Sequence, residues 1–99
     1  MSRVLTQTEI AEKLTPVFDR YRISKAVLFG SYGTRRATDK SDVDLCVDSG
    51  LSGLRFVGFL NDIRCAVRKP VDVIDVRHID RNSPVEREIQ KTGVTIYAK

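Results

Sequence analysis

Residues 28–47, LFGSYGTRRATDKSDVDLCV, decide the fold and raise the main question about this chain. A short apolar run ends at Gly30-Ser31, a polar and basic stretch follows, and then Asp42 and Asp44 stand one residue apart among apolar residues. Aspartate is a poor strand former, and a carboxylate in a strand is costly unless a neighbouring group neutralises it. The paired aspartates therefore need a partner that the hydrophobic pattern does not supply.

The second half of this segment has the pattern of a strand with one buried face. Val43, Leu45 and Val47 alternate with the acidic positions, and side chains two residues apart on a strand share a face. Asp42 and Asp44 then point the same way, where two carboxylates repel each other unless a cation lies between them. Mg²⁺ suits this setting, because it takes oxygen ligands and typically needs one or two carboxylates plus substrate phosphates.

A third predicted strand, residues 71–76, offers two further carboxylates, Asp72 and Asp75. They lie three positions apart, so they face opposite sides of the sheet, and only one can join the metal site. We predict Asp72 as the third ligand. Asp75 is predicted to cap a loop or to pair with Arg77 rather than to bind the metal.

Gly30-Ser31 supplies a complementary feature at the end of the first strand. Glycine at a strand-to-helix turn lets a phosphate approach the backbone closely, and the first N–H groups of a following helix attract anions. The Ser31 hydroxyl can donate to a phosphate oxygen. An ordinary turn with an N-cap would use the same residues, so the pair indicates phosphate binding only together with the aspartates that follow.

The whole pattern predicts an α/β (α+β) fold, a small mixed β-sheet with flanking helices. Thr6 and Glu9 fit a capping box, and Ser83 and Glu86 fit a second one. Pro16 is expected to kink or restart the first helix. The predicted elements alternate between helix and strand over residues 7–21, 26–29, 32–37, 43–47, 54–68, 71–76, 84–92 and 94–97.

The composition is that of a single globular domain over residues 1–99. No apolar run approaches the ~20 residues of a membrane span, and the N-terminus lacks a signal-peptide core, so we expect a cytoplasmic protein without a membrane segment. Cys46 and Cys65 are predicted to be reduced core thiols. Leu54 and Val57 are placed on the apolar face of the 54–68 helix. The net charge of +4 indicates an anionic ligand no more strongly than a solvated basic surface, and direct nucleic-acid binding is not expected.

Taken together, Gly-Ser, ten residues, Asp-x-Asp and a later strand aspartate resemble the signature of the DNA polymerase β-like nucleotidyltransferase superfamily. The small size and the segments VLFGSYG, SDVDLCV, PVDVID and REIQKTGVTIYA are most similar to its minimal nucleotidyltransferase (MNT) group. The resemblance implies the polymerase β-like fold, two Mg²⁺ ions, and transfer of a nucleotidyl group, usually AMP from ATP, to an acceptor hydroxyl.

The resemblance also assigns roles to residues of this sequence. Gly30 and Ser31 would hold the triphosphate, and Asp42 and Asp44 would bind the metal ions. Asp72 matches the third carboxylate, which binds the catalytic metal and helps to activate the acceptor.

The chain departs from the family pattern directly after Gly-Ser. Members of the group commonly continue Gly-Ser-x with Ala-Arg-Gly, whereas this chain has Gly33-Thr34-Arg35, followed by Arg36. The arginine is displaced by one position, and either Arg35 or Arg36 would have to reach a phosphate. The departure bears on triphosphate affinity more than on the metal site.

Several functions fit these residues. Proteins of the group often act as antitoxins that transfer AMP to a tyrosine of a HEPN-domain toxin, which would give this chain a protein partner. The alternative is a catalytically weak or inactive module that neutralises its partner by surface contact. An antibiotic-modifying nucleotidyltransferase would need a further helical domain, and a template-directed polymerase is the least expected. His78, the sole histidine, is interpreted as a surface residue. The nucleotide, the acceptor and a homo- or hetero-oligomeric state stay open.

Overall fold

The structure, a computed structural model, describes residues 4–99 of the chain. Over that range it has three α-helices, α1 (Gln7–Arg20), α2 (Gly53–Val67) and α3 (Pro84–Thr92), and four strands, β1 (Lys25–Phe29), β2 (Val43–Asp48), β3 (Val71–Asp75) and β4 (Val94–Ala98). A short 3₁₀ helix, Val76–His78, follows β3. The first three positions of the predicted domain, which also bear on the signal-peptide prediction, lie outside the described residues. None of the helices in the described range is long and apolar enough to cross a membrane.

The four strands form one mixed sheet in the order β3-β2-β1-β4. β1 runs antiparallel to both β2 and β4, and β2 and β3 are parallel. The predicted small mixed sheet with flanking helices is therefore confirmed, and the last predicted segment forms an edge strand.

The core lies between one face of the sheet and the helices α1 and α2. Val43, Leu45 and Val47 of β2 are buried on this face, as the alternation predicts. The other face carries the acidic positions of β2. α3 packs on that face over β1, since Gly93 at the end of α3 comes close to the Val27 side chain. The α3 side of β2 and β3 remains accessible, and the candidate site lies there.

The predicted start of α1 is confirmed in detail. The Thr6 hydroxyl accepts a hydrogen bond from the Glu9 N–H at 3.0 Å, and the Glu9 carboxylate accepts one from the Thr6 N–H at 3.0 Å. The helix does not restart at Pro16 but runs through it to Arg20. Pro16 and Glu12, whose carbonyl loses its usual donor, are both exposed, so water can satisfy that carbonyl.

The brief helix predicted over residues 32–37 is wrong. The chain instead makes a closed turn, in which the Thr34 N–H donates to the Gly30 carbonyl at 3.1 Å and the Arg36 N–H donates to the Ser31 carbonyl at 2.8 Å. Arg35 has a φ of 62°, in the left-handed region, and a residue in that region ends a right-handed helix. We call residues 30–36 the phosphate turn below, after the role predicted for Gly30 and Ser31, which stays a prediction.

The apolar face predicted for α2 is also partly wrong. Leu54 is 89% exposed and Val57 is 58% exposed, whereas Phe59 and Ile63 are fully buried. Phe59 packs against the rings of three other aromatic side chains, namely Phe18, Tyr21 and Phe56. Large aromatic side chains bury more area than Leu or Val, so they set the rotation of the helix.

The two cysteines are both free thiols. The rotation of α2 determines the exposure of the one that lies in this helix, Cys65. Cys46 is buried, as predicted, but Cys65 is exposed. Cys65 is two residues from the buried Ile63, which places it on roughly the opposite side of a helix with 3.6 residues per turn. The prediction of two core thiols is therefore wrong for Cys65.

The observed rotation of α2 predicts how two substitutions in this helix change the free energy of unfolding. Ile63→Val should lower the free energy of unfolding by about 1 kcal/mol, because it removes a buried methylene group. Leu54→Ala should change it by less than about 0.5 kcal/mol, because that side chain is in water. Urea unfolding of the two variants measures both values. A larger loss for Leu54→Ala than for Ile63→Val would contradict the placement of α2.

Candidate active site

Two of the predicted metal ligands are neighbours across the sheet. Asp44 of β2 lies opposite Asp72 of β3 in the parallel register, so both side chains project to the same face. Asp44 is half-buried, and Asp72 is exposed at the edge strand. Asp42 is exposed and stands one residue before β2 rather than inside it.

The pKa of Asp44 reflects its burial and the negative charges of the carboxylates around it. Burial raises the pKa of Asp44 above its ordinary value, and the negative charges of Asp72, Asp42 and Glu88 raise it further. Glu88 comes from α3, which covers part of the same face. The site thus concentrates negative charge around one half-buried carboxylate, an arrangement that favours binding of a cation.

The donor set is compatible with Mg²⁺, which prefers carboxylate and phosphate oxygens. No group of three His, Cys, Asp or Glu side chains converges closely enough to hold an ion anywhere in the described residues. Mg²⁺ is usually held by one or two carboxylates together with substrate phosphates. Asp44 and Asp72 meet that requirement, with Asp42 nearby, provided that a nucleotide supplies the remaining oxygens.

Gly30 is held directly against the central carboxylate. It has a φ of +72°, and a Cβ added to it would lie 2.5 Å from an Asp44 carboxylate oxygen. Both the backbone conformation and the close approach require glycine here. The predicted phosphate-binding residue and the predicted metal ligand therefore touch each other.

Gly30→Ala tests this contact, with Gly50→Ala as a matched control. Gly50 has a φ of +67°, and nothing lies within 4 Å of a Cβ added to it. Each substitution should destabilise the fold by about 1–3 kcal/mol through backbone strain. Gly30→Ala should also displace Asp44 and weaken the nucleotide binding that the sequence predicts for this site, whereas Gly50→Ala should leave binding unchanged. Equal nucleotide affinities of the two variants, measured by titration calorimetry, would contradict the contact.

A groove of about 580 Å³ opens beside Asp44 and Asp72, within the size range of small-molecule sites. Apolar residues from β1, α2, β3 and the start of α3 line most of it, and Arg64 of α2 adds a positive charge; the apolar lining residues are Phe29, Leu60, Val73, Ile74, Pro84 and Val85. The groove thus combines apolar walls with carboxylates and one cation, which suits a ligand that carries both a ring system and phosphates.

The two arginines of the phosphate turn are not brought to this groove. Arg35 lines a separate pocket of about 360 Å³ at the N-terminus of α1, together with Tyr32 and Ala37. Arg36 is exposed, and Ser31 is half-buried in the turn. A role for Arg35, Arg36 or Ser31 in phosphate binding stays a prediction.

Asp75 has the structural role that the alternation predicts for it. Its side chain is 2% exposed and points away from the Asp44 face. It accepts hydrogen bonds from the Ser49 hydroxyl and from the Arg77 N–H and Nε. Burial alone would raise the pKa of Asp75, but these hydrogen bonds outweigh it and hold the pKa below its ordinary value. His78, as predicted, is a surface residue.

Two residues of α3 that border the site, Glu88 and Thr92, were not predicted from the sequence. Glu88 lines the groove, and the Thr92 hydroxyl accepts the Gly30 N–H at 2.9 Å. That N–H is therefore used inside the protein and is not a donor for phosphate. The spacing of Glu88 and Thr92 at i and i+4 puts them on one face of α3, but the sequence does not say that this face meets Asp44.

Comparison with known proteins identifies the family to which this chain belongs. The family model described as Polymerase beta, Nucleotidyltransferase matches residues 12–99. A protein of Methanocaldococcus jannaschii, whose provisional name is protein adenylyltransferase, is 30% identical over 73 residues, which is 72% of this chain and 78% of that protein. The chain belongs to the polymerase β nucleotidyltransferase family, and it is a nucleotidyltransferase.

Solved structures share the fold at lower sequence identity. A toxin-antitoxin structure with AMP-PNP superposes with a TM-score of 0.73 at 20% identity, over 90% of this chain and 73% of the matched one. The complex of a tri-AMPylated Shewanella oneidensis HEPN toxin with its MNT antitoxin gives a TM-score of 0.68 at 19% identity, over 95% and 74% of the two chains. At these identities the likeness establishes the fold, which is the polymerase β-like fold predicted from the sequence.

Proposed function

We propose that this nucleotidyltransferase moves AMP from ATP to a hydroxyl group of a partner protein, and that the partner is a HEPN-type toxin. The observation that carries the proposal is the pairing of Asp44 with Asp72 on one face, directly against Gly30. The adenylyltransferase name of the archaeal relative and the toxin-antitoxin structures that share the fold support the choice of nucleotide and partner.

The proposed reaction is an in-line displacement at the α-phosphorus. A bond forms between the acceptor oxygen and this phosphorus, the bond to the bridging oxygen of the β-phosphate breaks, and pyrophosphate leaves. Mg²⁺ held by Asp44 and Asp72, with Asp42 nearby, would neutralise charge on the phosphates and lower the pKa of the acceptor hydroxyl. Asp72, which is exposed at the mouth of the groove, takes the hydroxyl proton.

The other residues of the groove position the reactants. The contact between Gly30 and Asp44 fixes the carboxylate relative to the phosphate turn. Arg64, which lines the same groove, would offer a positive charge to the phosphates. Positioning and charge neutralisation account for most of the catalysis of phosphoryl-type transfers, so no protein nucleophile is needed.

The most informative experiment tests whether the proposed partner protein is modified. The chain is incubated with ATP, Mg²⁺ and a HEPN-type toxin, and the toxin is examined by mass spectrometry as the proposed partner. The partner should gain the mass of AMP and lose its toxic activity only when ATP is present. If the partner is neutralised equally well without ATP, the chain acts as a binding module and the catalytic proposal is wrong.

A further inference from the structure

The last turn of α3 contacts the phosphate turn at both of its glycines. The Thr92 hydroxyl accepts the Gly30 N–H at 2.9 Å. The same hydroxyl donates its proton to the Glu88 carbonyl at 2.8 Å. Because the proton is committed to Glu88, the oxygen is held as an acceptor for Gly30.

The second contact is at Gly33. A Cβ added to Gly33 would overlap the Thr92 carbonyl oxygen and lie 2.9 Å from the Phe29 Cα. Real Cβ atoms do not approach other atoms this closely, so only glycine lets the phosphate turn pack against the end of α3. The Gly-Thr-Arg sequence that departs from the family pattern thus begins with a glycine that the backbone carbonyl at position 92 requires.

Gly30 lies between Thr92 and the central carboxylate. On one side its N–H is bonded to Thr92, and on the other its missing Cβ would lie 2.5 Å from an Asp44 oxygen. A shift of Gly30 away from Thr92 therefore changes its position relative to Asp44. Sub-ångström changes of this kind matter where a phosphate and a carboxylate must be held together.

We infer that Thr92 is a positioning residue: its hydroxyl fixes the phosphate turn against Asp44 and so sets the affinity of the site for the triphosphate of ATP. The inference rests on the proposed function, because it assumes that the site takes a nucleoside triphosphate. Thr92 is not among the residues that line the groove. Its hydroxyl bonds to the Gly30 N–H and to the backbone carbonyl of Glu88, so we expect its effect on the site to pass through Gly30.

The test compares Thr92→Val with Thr92→Ser and Thr15→Val. Valine keeps the shape of threonine and removes the hydroxyl, whereas serine keeps the hydroxyl. Thr15 is a matched control, because its hydroxyl also donates to a carbonyl four residues earlier, that of Ala11 at 2.7 Å, but it lies in α1 away from the phosphate turn. Thr92→Val should raise the KM for ATP about tenfold, the size expected from one lost hydrogen bond, with a smaller change in kcat. Thr92→Ser and Thr15→Val should keep the KM of the unmodified protein.

A measurement without turnover separates this inference from the proposed function. Hydrogen exchange followed by NMR should find the Gly30 amide protected in the unmodified protein and in Thr92→Ser, and unprotected in Thr92→Val. If Thr92→Val does not fold, Thr92→Ala provides a second variant without the hydroxyl. Unchanged KM and unchanged Gly30 protection in the hydroxyl-free variant would overturn the inference while transfer by the unmodified protein persists. Failure of the unmodified protein to transfer AMP would instead overturn the proposed function, and the Gly30 exchange would still decide whether Thr92 holds the turn.

Discussion

Asp44→Asn should abolish AMP transfer without destabilising the fold. We expect kcat/KM to fall by at least about 10²-fold, the size found when one component of transition-state electrostatics is removed. The amide side chain of this variant would keep its shape against Gly30 but would no longer offer a charged oxygen pair to a cation. The rate of label transfer from ATP to the partner protein measures this loss.

The expected stability of Asp44→Asn follows from the negative charges that surround Asp44 in the folded protein. Burial and the neighbouring carboxylates raise the pKa of Asp44 in the folded protein, so its ionised form costs stability above the ordinary aspartate pKa of about 3.9. This cost is relieved as the pH falls through the raised pKa. In metal-free buffer at pH 7 the melting temperature of Asp44→Asn should therefore equal or exceed that of the unmodified protein, and the difference should vanish in acid.

Addition of Mg²⁺ and ATP should reverse the order of the two melting temperatures. A ligand that binds only the folded state raises its stability, and the unmodified protein should gain more than Asp44→Asn. Asp39→Asn is a suitable control, because Asp39 is exposed in the loop before β2 and belongs to no part of the site. If Asp44→Asn transfers AMP as fast as Asp39→Asn, the assignment of Asp44 is wrong.

Asp75→Asn, in contrast to Asp44→Asn, should cause a large loss of stability. The Asp75 carboxylate is buried and accepts three hydrogen bonds, from Ser49 and from two donors of Arg77. Hydrogen bonds to a buried charged group stabilise a fold by about 1.5–3 kcal/mol. We expect Asp75→Asn to lose about 2–3 kcal/mol, or about 10–20 °C in melting temperature for a domain of this size.

The contribution of Asp75 should depend on pH in a defined direction. Its pKa is held below the ordinary value in the folded protein, so the stability it confers is complete above a pH of about 4. It is lost as the pH falls through the lowered folded pKa. The stability difference between Asp75→Asn and the unmodified protein should therefore shrink in strong acid, as measured by urea unfolding across the pH range.

Asp72→Asn is the control for Asp75→Asn, because the two aspartates belong to the same strand. Asp72 is exposed, and its substitution should change stability by less than about 0.5 kcal/mol while transfer is lost. Loss of activity in Asp75→Asn at a temperature where it remains folded, with full activity in Asp72→Asn, would mean that the roles of the two aspartates are exchanged.

Local signals made part of this fold predictable from the sequence. The capping box of Thr6 and Glu9 needs only residues three positions apart, and both of its hydrogen bonds form. The alternation in β2 likewise fixes which side chains face the core. The parity of Asp72 and Asp75 on β3 was sufficient to predict that they face opposite sides of the sheet and that Asp75 has a structural role. The role of Asp72 as a metal ligand stays a prediction.

Features that depend on distant packing could not be predicted in this way. The rotation of α2 follows from an aromatic cluster with residues of α1, so Leu54 and Cys65 were misplaced. The phosphate turn does not become a helix, since Arg35 adopts a left-handed conformation. Thr92 reaches Gly30 because α3 packs over β1, a contact between residues 62 positions apart. Periodicity within one element carries no information of this kind.

The position of the transferred label tests the central claim most directly. The protein, Mg²⁺ and the proposed HEPN-type partner are incubated with ATP labelled at the α-phosphate in one reaction and at the γ-phosphate in another. If the chain transfers AMP, the partner acquires label only from the α-labelled nucleotide, and the γ-label appears in free pyrophosphate. Label on the partner from the γ-labelled ATP, or from neither nucleotide while the partner is still neutralised, would contradict it.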